Sequence, residues 1–137
     1  MRLLDHEGRP AGGLRAGAPA TLEMTVRAER PLVDFVFGFR ITTVSGVMVF
    51  GTNTGLEGLG PERFEGEGRV TLVIPALDLV PGVYSLDAAV HARDGAPYDA
   101  LADVLRFEVT AASDRSGAGI WNPPRRWEFS GGIRWRN

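Results

Sequence analysis

The 137-residue chain contains no cysteine and no lysine, so all 15 of its basic side chains are arginine, a usage that reads as genomic bias. Without Cys, disulfides, thiolate zinc sites and cysteine nucleophiles are excluded. Without Lys, a phosphate-binding loop of the G-x-x-x-x-G-K-[ST] type is excluded too. There is no G-x-S-x-G, so a hydrolase nucleophile elbow has no support. Histidine is scarce: His6 and His91 lie far apart, and a zinc site would need them to converge with carboxylates. No metal and no cofactor are expected. No apolar run approaches the ~20 residues of a membrane span. The N-terminus, MRLLDHEGRP, has no signal-peptide core. The net charge is −2 and no basic stripe stands out before the C-terminus, so nucleic acid is not an expected partner. The default is one soluble, intracellular domain.

What the chain does have is punctuation: 18 Gly and 9 Pro spread along its length. Many short segments divided in this way predict an all-β sandwich or barrel. The most informative stretch is Asp34 to Gly55, two predicted strands around a Ser45-Gly46 turn. Phe35, Phe37, Phe39 and Ile41 alternate with Val36, Gly38, Arg40 and Thr42, which implies one buried face. Val47 to Phe50 is continuously apolar, as in a short strand with both faces partly covered. It runs into Gly51-Thr52-Asn53-Thr54-Gly55, whose hydroxyl and amide groups suit either a polar ligand or a turn.

Other predicted strands are Arg2 to His6, Thr21 to Arg27, Gly68 to Pro75, Val83 to Arg93 and Asp103 to Ala111. Ala11 to Gly17 is a loop or short edge segment. Arg30-Pro31-Leu32 is expected to break the second strand, since Pro cannot donate to a ladder. Leu56 to Gly66 is a long connection, and Asp94-Gly95-Ala96-Pro97 a hairpin turn. Ala96 to Leu105 is the one stretch where a helical turn fits. Seven or eight strands at this spacing suit an immunoglobulin-like sandwich. Leu79-Val80-Pro81-Gly82-Val83-Tyr84 reads either as a tyrosine corner or as a turn before a core aromatic.

Carboxylates are plentiful, among them Asp34, Glu57, Glu62, Glu65, Glu67, Asp87, Asp94, Asp99 and Asp103. A glycosidase needs two of them facing each other across a sugar, and most of these sit in turns as solvated charges. Calcium binding by the 57–67 loop lacks EF-hand-like spacing. All three tryptophans, Trp121, Trp127 and Trp135, lie near the C-terminus. With Phe50 and Tyr98 they are candidates for stacking on a sugar, or equally for plugging the sandwich or filling a dimer seam.

The order of these pieces resembles a known family. Asp34-Phe35-Val36-Phe37-Gly38-Phe39 is followed by Val49-Phe50-Gly51-Thr52-Asn53-Thr54, Gly68-Arg69-Val70 and Ile74-Pro75-Ala76-Leu77. Leu79-Val80-Pro81-Gly82-Val83-Tyr84-Ser85-Leu86 and Phe107-Glu108-Val109 come next, then Gly117, Gly119 and Pro123 before Trp127. The whole is similar to the C-terminal carbohydrate-binding domain of Wzt, the ATPase subunit of ABC transporters that export O-antigen polysaccharide. The resemblance implies an all-β, immunoglobulin-like antiparallel sandwich over residues 1–127 that forms a homodimer by exchanging its C-terminal strand. Ser113 to Gly119 would serve as the flexible hinge.

The resemblance further implies non-catalytic binding of an O-antigen glycan, often at its modified non-reducing end. The implied location is cytoplasmic, peripheral to the inner membrane through the transporter's ATPase and membrane subunits. Such a domain normally follows a nucleotide-binding domain, so this chain is expected to be an excised fragment or a stand-alone relative. The expected ligand-binding residues are Arg40, Thr42, Phe50, Thr52, Asn53, Thr54 and Trp121. Residues 128–137 form an extension outside the pattern, placed to lengthen the exchanged strand or to cover the binding surface. The alternative is a structural dimerisation sandwich without glycan binding.

Overall fold

The computed structural model describes residues 1–59, 63–111, 119–129 and 133, with residues 99–104 described for their backbone alone. Eight strands make up the described secondary structure: β1 (Arg2–Leu4), β2 (Gly13–Arg15), β3 (Ala20–Leu32), β4 (Val36–Thr43), β5 (Met48–Asn53), β6 (Phe64–Ile74), β7 (Gly82–His91) and β8 (Pro97–Thr110). They form a three-stranded sheet, β1-β3-β6, and a five-stranded sheet, β2-β8-β7-β4-β5. This is an all-β sandwich, with apolar side chains of both sheets forming one core. Pairing is antiparallel except that β2 runs parallel to β8. After β1 the chain turns back through Asp5–Arg9, with Leu4 bridged antiparallel to Pro10, and then reaches β2 on the other sheet.

The alternation of β4 did specify the core. Phe35, just before the strand, and Phe37, Phe39 and Ile41 within it are all buried, as are Leu22 and Met24 from β3 and Phe107 and Val109 from β8. Each such side chain contributes about 1.5–3 kcal/mol when fully buried. The rings of Phe35, Phe37 and Phe64 form a cluster with centroids 5.3–6.1 Å apart, which ties β4 to β6 across the sandwich. Tyr84 donates to the carbonyl of Val80 at 2.6 Å, so the turn before β7 is a tyrosine corner. Gly46, at φ 91°, supplies the left-handed residue in the β4–β5 turn.

Four sequence expectations are corrected. Pro31 does not end β3. The β3–β6 register shifts between Ala28 and Leu32, so Pro31 sits at an irregularity where no ladder N–H is required. Residues 97–104 are not helical; they belong to β8 and pair with β7. The first strand stops at Leu4 because Asp5 Oδ1 accepts from the amides of Glu7 and Arg9 and turns the chain. Finally, Val47 to Phe50 is not covered on both faces. β5 lies at the margin of its sheet, Val47, Met48 and Phe50 are exposed, and only Val49 packs against the core.

The outer face of the three-stranded sheet holds one buried carboxylate. Glu23 is 5% exposed and accepts from Arg2 Nε at 3.0 Å and Nη2 at 2.6 Å, with Arg69 Nε at 3.8 Å on its other side. The Arg2 hydrogen bonds hold its carboxyl below the usual glutamate range, against the opposing effect of burial.

Candidate functional site

The site lies on the outer face of the five-stranded sheet, where β5, β4 and β7 run side by side. Parity in the strands decides what faces outward. With Phe37, Phe39 and Ile41 turned into the core, Gly38, Arg40 and Thr42 point the other way. Cross-strand partners share a face, so Gly38 is matched by Asn53 and Ala89, and Arg40 by Gly51 and Asp87. Three of these outward positions carry little or no side chain. Gly38, Gly51 and Ala89 therefore leave a depression in the sheet surface.

That depression has a volume of about 430 Å³ and is rimmed by Met48, Leu56, Asn53, Arg40, Asp87 and His91. The volume falls within the roughly 300–1,000 Å³ of small-ligand clefts. Its floor is closely fitted. A Cβ at Gly38 would stand 3.3 Å from Asn53 Cβ, and one at Gly51 would stand 3.1 Å from Met48 Sδ. Glycine at these two positions keeps the hollow open.

The polar chemistry of the rim centres on one ion pair. Arg40 places Nε at 2.9 Å and Nη2 at 2.7 Å from Oδ2 of Asp87. The Arg40 side chain is 48% exposed and that of Asp87 11%. Both bonds use the Nε and Nη2 donors, so Nη1 keeps its hydrogens for another acceptor. His91 Nδ1 lies 2.7 Å from the carbonyl oxygen of Ala92. A carbonyl only accepts, so Nδ1 carries the proton there and Nε2 is left for another partner. Asn53 Oδ1 accepts from the Leu56 amide at 2.7 Å, which folds the 53–56 turn and sets Leu56 on the rim. Its Nδ2 remains a donor.

A family model described as the Wzt C-terminal domain matches residues 1–123. The chain belongs to the Wzt C-terminal domain family. A crystal structure titled as the C-terminal domain of Wzt superposes with a TM-score of 0.81, covering 94% of this chain and 80% of that one at 21% identity. At that identity the superposition speaks for the fold. No match was found among curated proteins.

Within this Wzt C-terminal fold, the residues expected from sequence divide into three groups. Arg40, Thr52 and Asn53 line the depression. Thr42 shares its face but lies beyond the rim, beside Ser85 and Met48. The other three are placed elsewhere or already engaged. Phe50 is paired with Ile41, which turns it to the core side at the sheet margin. Thr54 Oγ1 accepts from the Phe37 amide at 3.2 Å, so it serves the strand end. Trp121 forms a bridge with Leu79 ahead of β7 and is 69% exposed. Thr52, by the same parity, is matched with Phe39 and turns its side chain away from the hollow that it borders.

Sequence reasoning missed Gly38, Met48, Gly51, Leu56, Asp87 and His91 as site residues. A signal for two of them was present: Asp87 and His91 occupy outward positions of an alternating strand. What no local pattern gave was that β7 lies beside β4, which sets Asp87 against Arg40 across 47 positions of sequence.

Trp135 and the expected hinge, apart from Gly119, lie outside the described residues. The chain on the far side of that hinge is anchored. Val80 N donates to Ile120 O at 2.9 Å and Asn122 N to Asp78 O at 2.8 Å, both within one chain. Among the described residues, no group of three or more His, Asp or Glu could hold a metal ion, and no helix is long and apolar enough to cross a membrane.

Proposed function

We propose that this domain binds the O-antigen glycan handled by an ABC transporter and does not convert it. The observation that supports the reading is the hollow floored by Gly38, Gly51 and Ala89 on the outer face of the five-stranded sheet. A pyranose presents an apolar C–H face and a ring of hydroxyls. The floor and the Met48 and Leu56 walls suit the first, while Arg40, Asp87, Asn53 and His91 suit the second. Family membership supplies the transporter context: ATPase and membrane subunits as partners, on the cytoplasmic side of the inner membrane. Residues 1–127 form the binding domain and 128–137 an extension to it.

The domain acts as a homodimer, in which the bonds that join Ile120 and Asn122 to the 78–80 segment within one chain are remade between protomers by exchange of the C-terminal strand. Calorimetric titration with the host's own purified O-polysaccharide tests the binding role. Saturable binding is expected, and none to a polysaccharide of different repeat or cap. Equal response to both would overturn it.

One observation favours a structural dimerisation role instead. Trp127, 81% exposed, stacks on Phe129 at 6.2 Å with nearly parallel rings, an apolar surface suited to a protein seam. Under that reading, filling the hollow leaves transport unchanged.

A further inference from the structure

The geometry points to an uncharged sugar ring as the unit seated in the depression, read by Arg40 and Asp87 acting together as one net-neutral pair. The inference rests on the glycan-binding reading above and narrows its ligand class.

The charge balance of the hollow carries it. Among its lining residues Arg40 is the one arginine and Asp87 the one carboxylate, and they are bonded to each other at 2.7 Å. A site built for a uronate or phosphate presents a guanidinium fork to the ligand, because two parallel N–H donors match two anionic oxygens. Here one edge of the fork, Nε and Nη2, is committed to Asp87. An anionic group entering beside Arg40 would also meet the Asp87 carboxylate at close range, and like charges in a half-buried site repel strongly.

A hydroxyl meets none of these obstacles. It donates and accepts, so one hydroxyl takes a hydrogen bond from Arg40 Nη1 while a neighbour on the ring engages His91 Nε2 or accepts from Asn53 Nδ2. The apolar walls add contact without charge. Met48 and Leu56 are 59% and 76% exposed, and the Gly38 and Gly51 floor admits the C–H face of a ring.

The test is a glycan microarray carrying neutral bacterial hexans and deoxyhexans beside uronic-acid and phosphate-bearing glycans, probed with the full chain. Binding is expected on neutral glycans, with affinity changing by about twofold or less between low and high salt because no net charge is neutralised. The variant Asp87→Asn uncovers the Arg40 charge and is expected to gain at least about tenfold on acidic glycans relative to neutral ones. Preference of the wild type for acidic glycans, or steep loss of binding in salt, overturns the inference and leaves glycan binding standing. Silence on every glycan, native polysaccharide included, removes both. Because the wild-type selectivity decides the matter, failure of the Asp87→Asn variant to fold does not rescue it.

Discussion

The Tyr84 hydroxyl donates to the backbone carbonyl of Val80 at 2.6 Å, four residues back along the chain, and the same ring stacks on Phe107 at 5.8 Å. One side chain thereby fixes the turn into β7 and joins β7 to β8 within the five-stranded sheet. Replacing it by phenylalanine keeps the stack and removes the bond. Tyr84→Phe is expected to destabilise the fold by about 1–2 kcal/mol, since the Val80 carbonyl loses its partner near the core. Urea denaturation followed by tryptophan fluorescence measures this. Glycan affinity should not change, because Tyr84 faces away from the depression.

Glu23 gives the fold a defined acid sensitivity. The Arg2 hydrogen bonds lower its carboxyl from the ordinary value of 4.5. The unfolded chain therefore takes up this proton at higher pH than the folded one. The stabilising contribution is complete above about pH 4.5 and is lost as pH falls through the lowered folded value. In Glu23→Gln, the melting temperature should be lower at neutral pH, and its fall below pH 4.5 shallower than in the wild type. Parallel wild-type and variant curves from pH 3 to 6 would mean that Glu23 does not titrate with folding.

Much of the scaffold could be read from the chain, and the reason is visible in which residues spoke. Phe35, Phe37, Phe39 and Ile41 face a dry core on one side and a more polar surface on the other, so their alternation carries the strand in plain view. Val47 to Phe50 misled for the opposite reason. An edge strand leaves apolar residues exposed without any rule of alternation, and the sequence of an edge looks like that of a buried strand. Pro31 misled because a register shift can absorb it. The site was half legible. Arg40 and Asn53 follow from parity and turn chemistry, whereas the hollow is made by absent side chains, and Gly38 and Gly51 announce nothing until their cross-strand partners are known.

The floor of the hollow can be filled without disturbing the fold. A Cβ at Gly51 meets the flexible Met48 side-chain end at 3.1 Å rather than backbone, and β5 is an edge strand. Gly51→Val should fold with a melting temperature close to the wild type, Met48 shifting aside into the hollow. Glycan affinity should fall at least about tenfold, the equivalent of about 1.4 kcal/mol. Unchanged affinity in calorimetric titration would move the binding surface elsewhere.

Two neighbouring polar residues should separate by what they hold. Thr54→Val loses the acceptor for the Phe37 amide and is expected to reduce stability by about 1 kcal/mol with little effect on affinity. Asn53→Asp keeps the acceptor for the Leu56 amide, so the turn stays folded. It removes the Nδ2 donor and brings a negative charge to the rim. Its stability should be near wild type and its affinity for glycan lower. The crossed pattern, measured by melting and titration on the same samples, distinguishes a turn residue from a ligand-binding one.

Strand exchange makes a prediction about assembly that depends on two backbone bonds. Val80 N to Ile120 O and Asn122 N to Asp78 O dock the C-terminal segment beside the tyrosine corner. If these bonds form between protomers, a chain truncated after Gly119 loses both the docking strand and the large Trp121 and Trp127 surfaces, and light scattering should find it monomeric while the full chain is a dimer. The sandwich core lies upstream of the cut, so the truncated chain should still melt cooperatively. The depression is formed wholly by residues before Gly119, so glycan binding per protomer should persist. A truncated chain that remains dimeric would place the dimer contact on the sandwich itself, and the exposed margin of β5, with Val47, Met48 and Phe50, would be the first place to substitute.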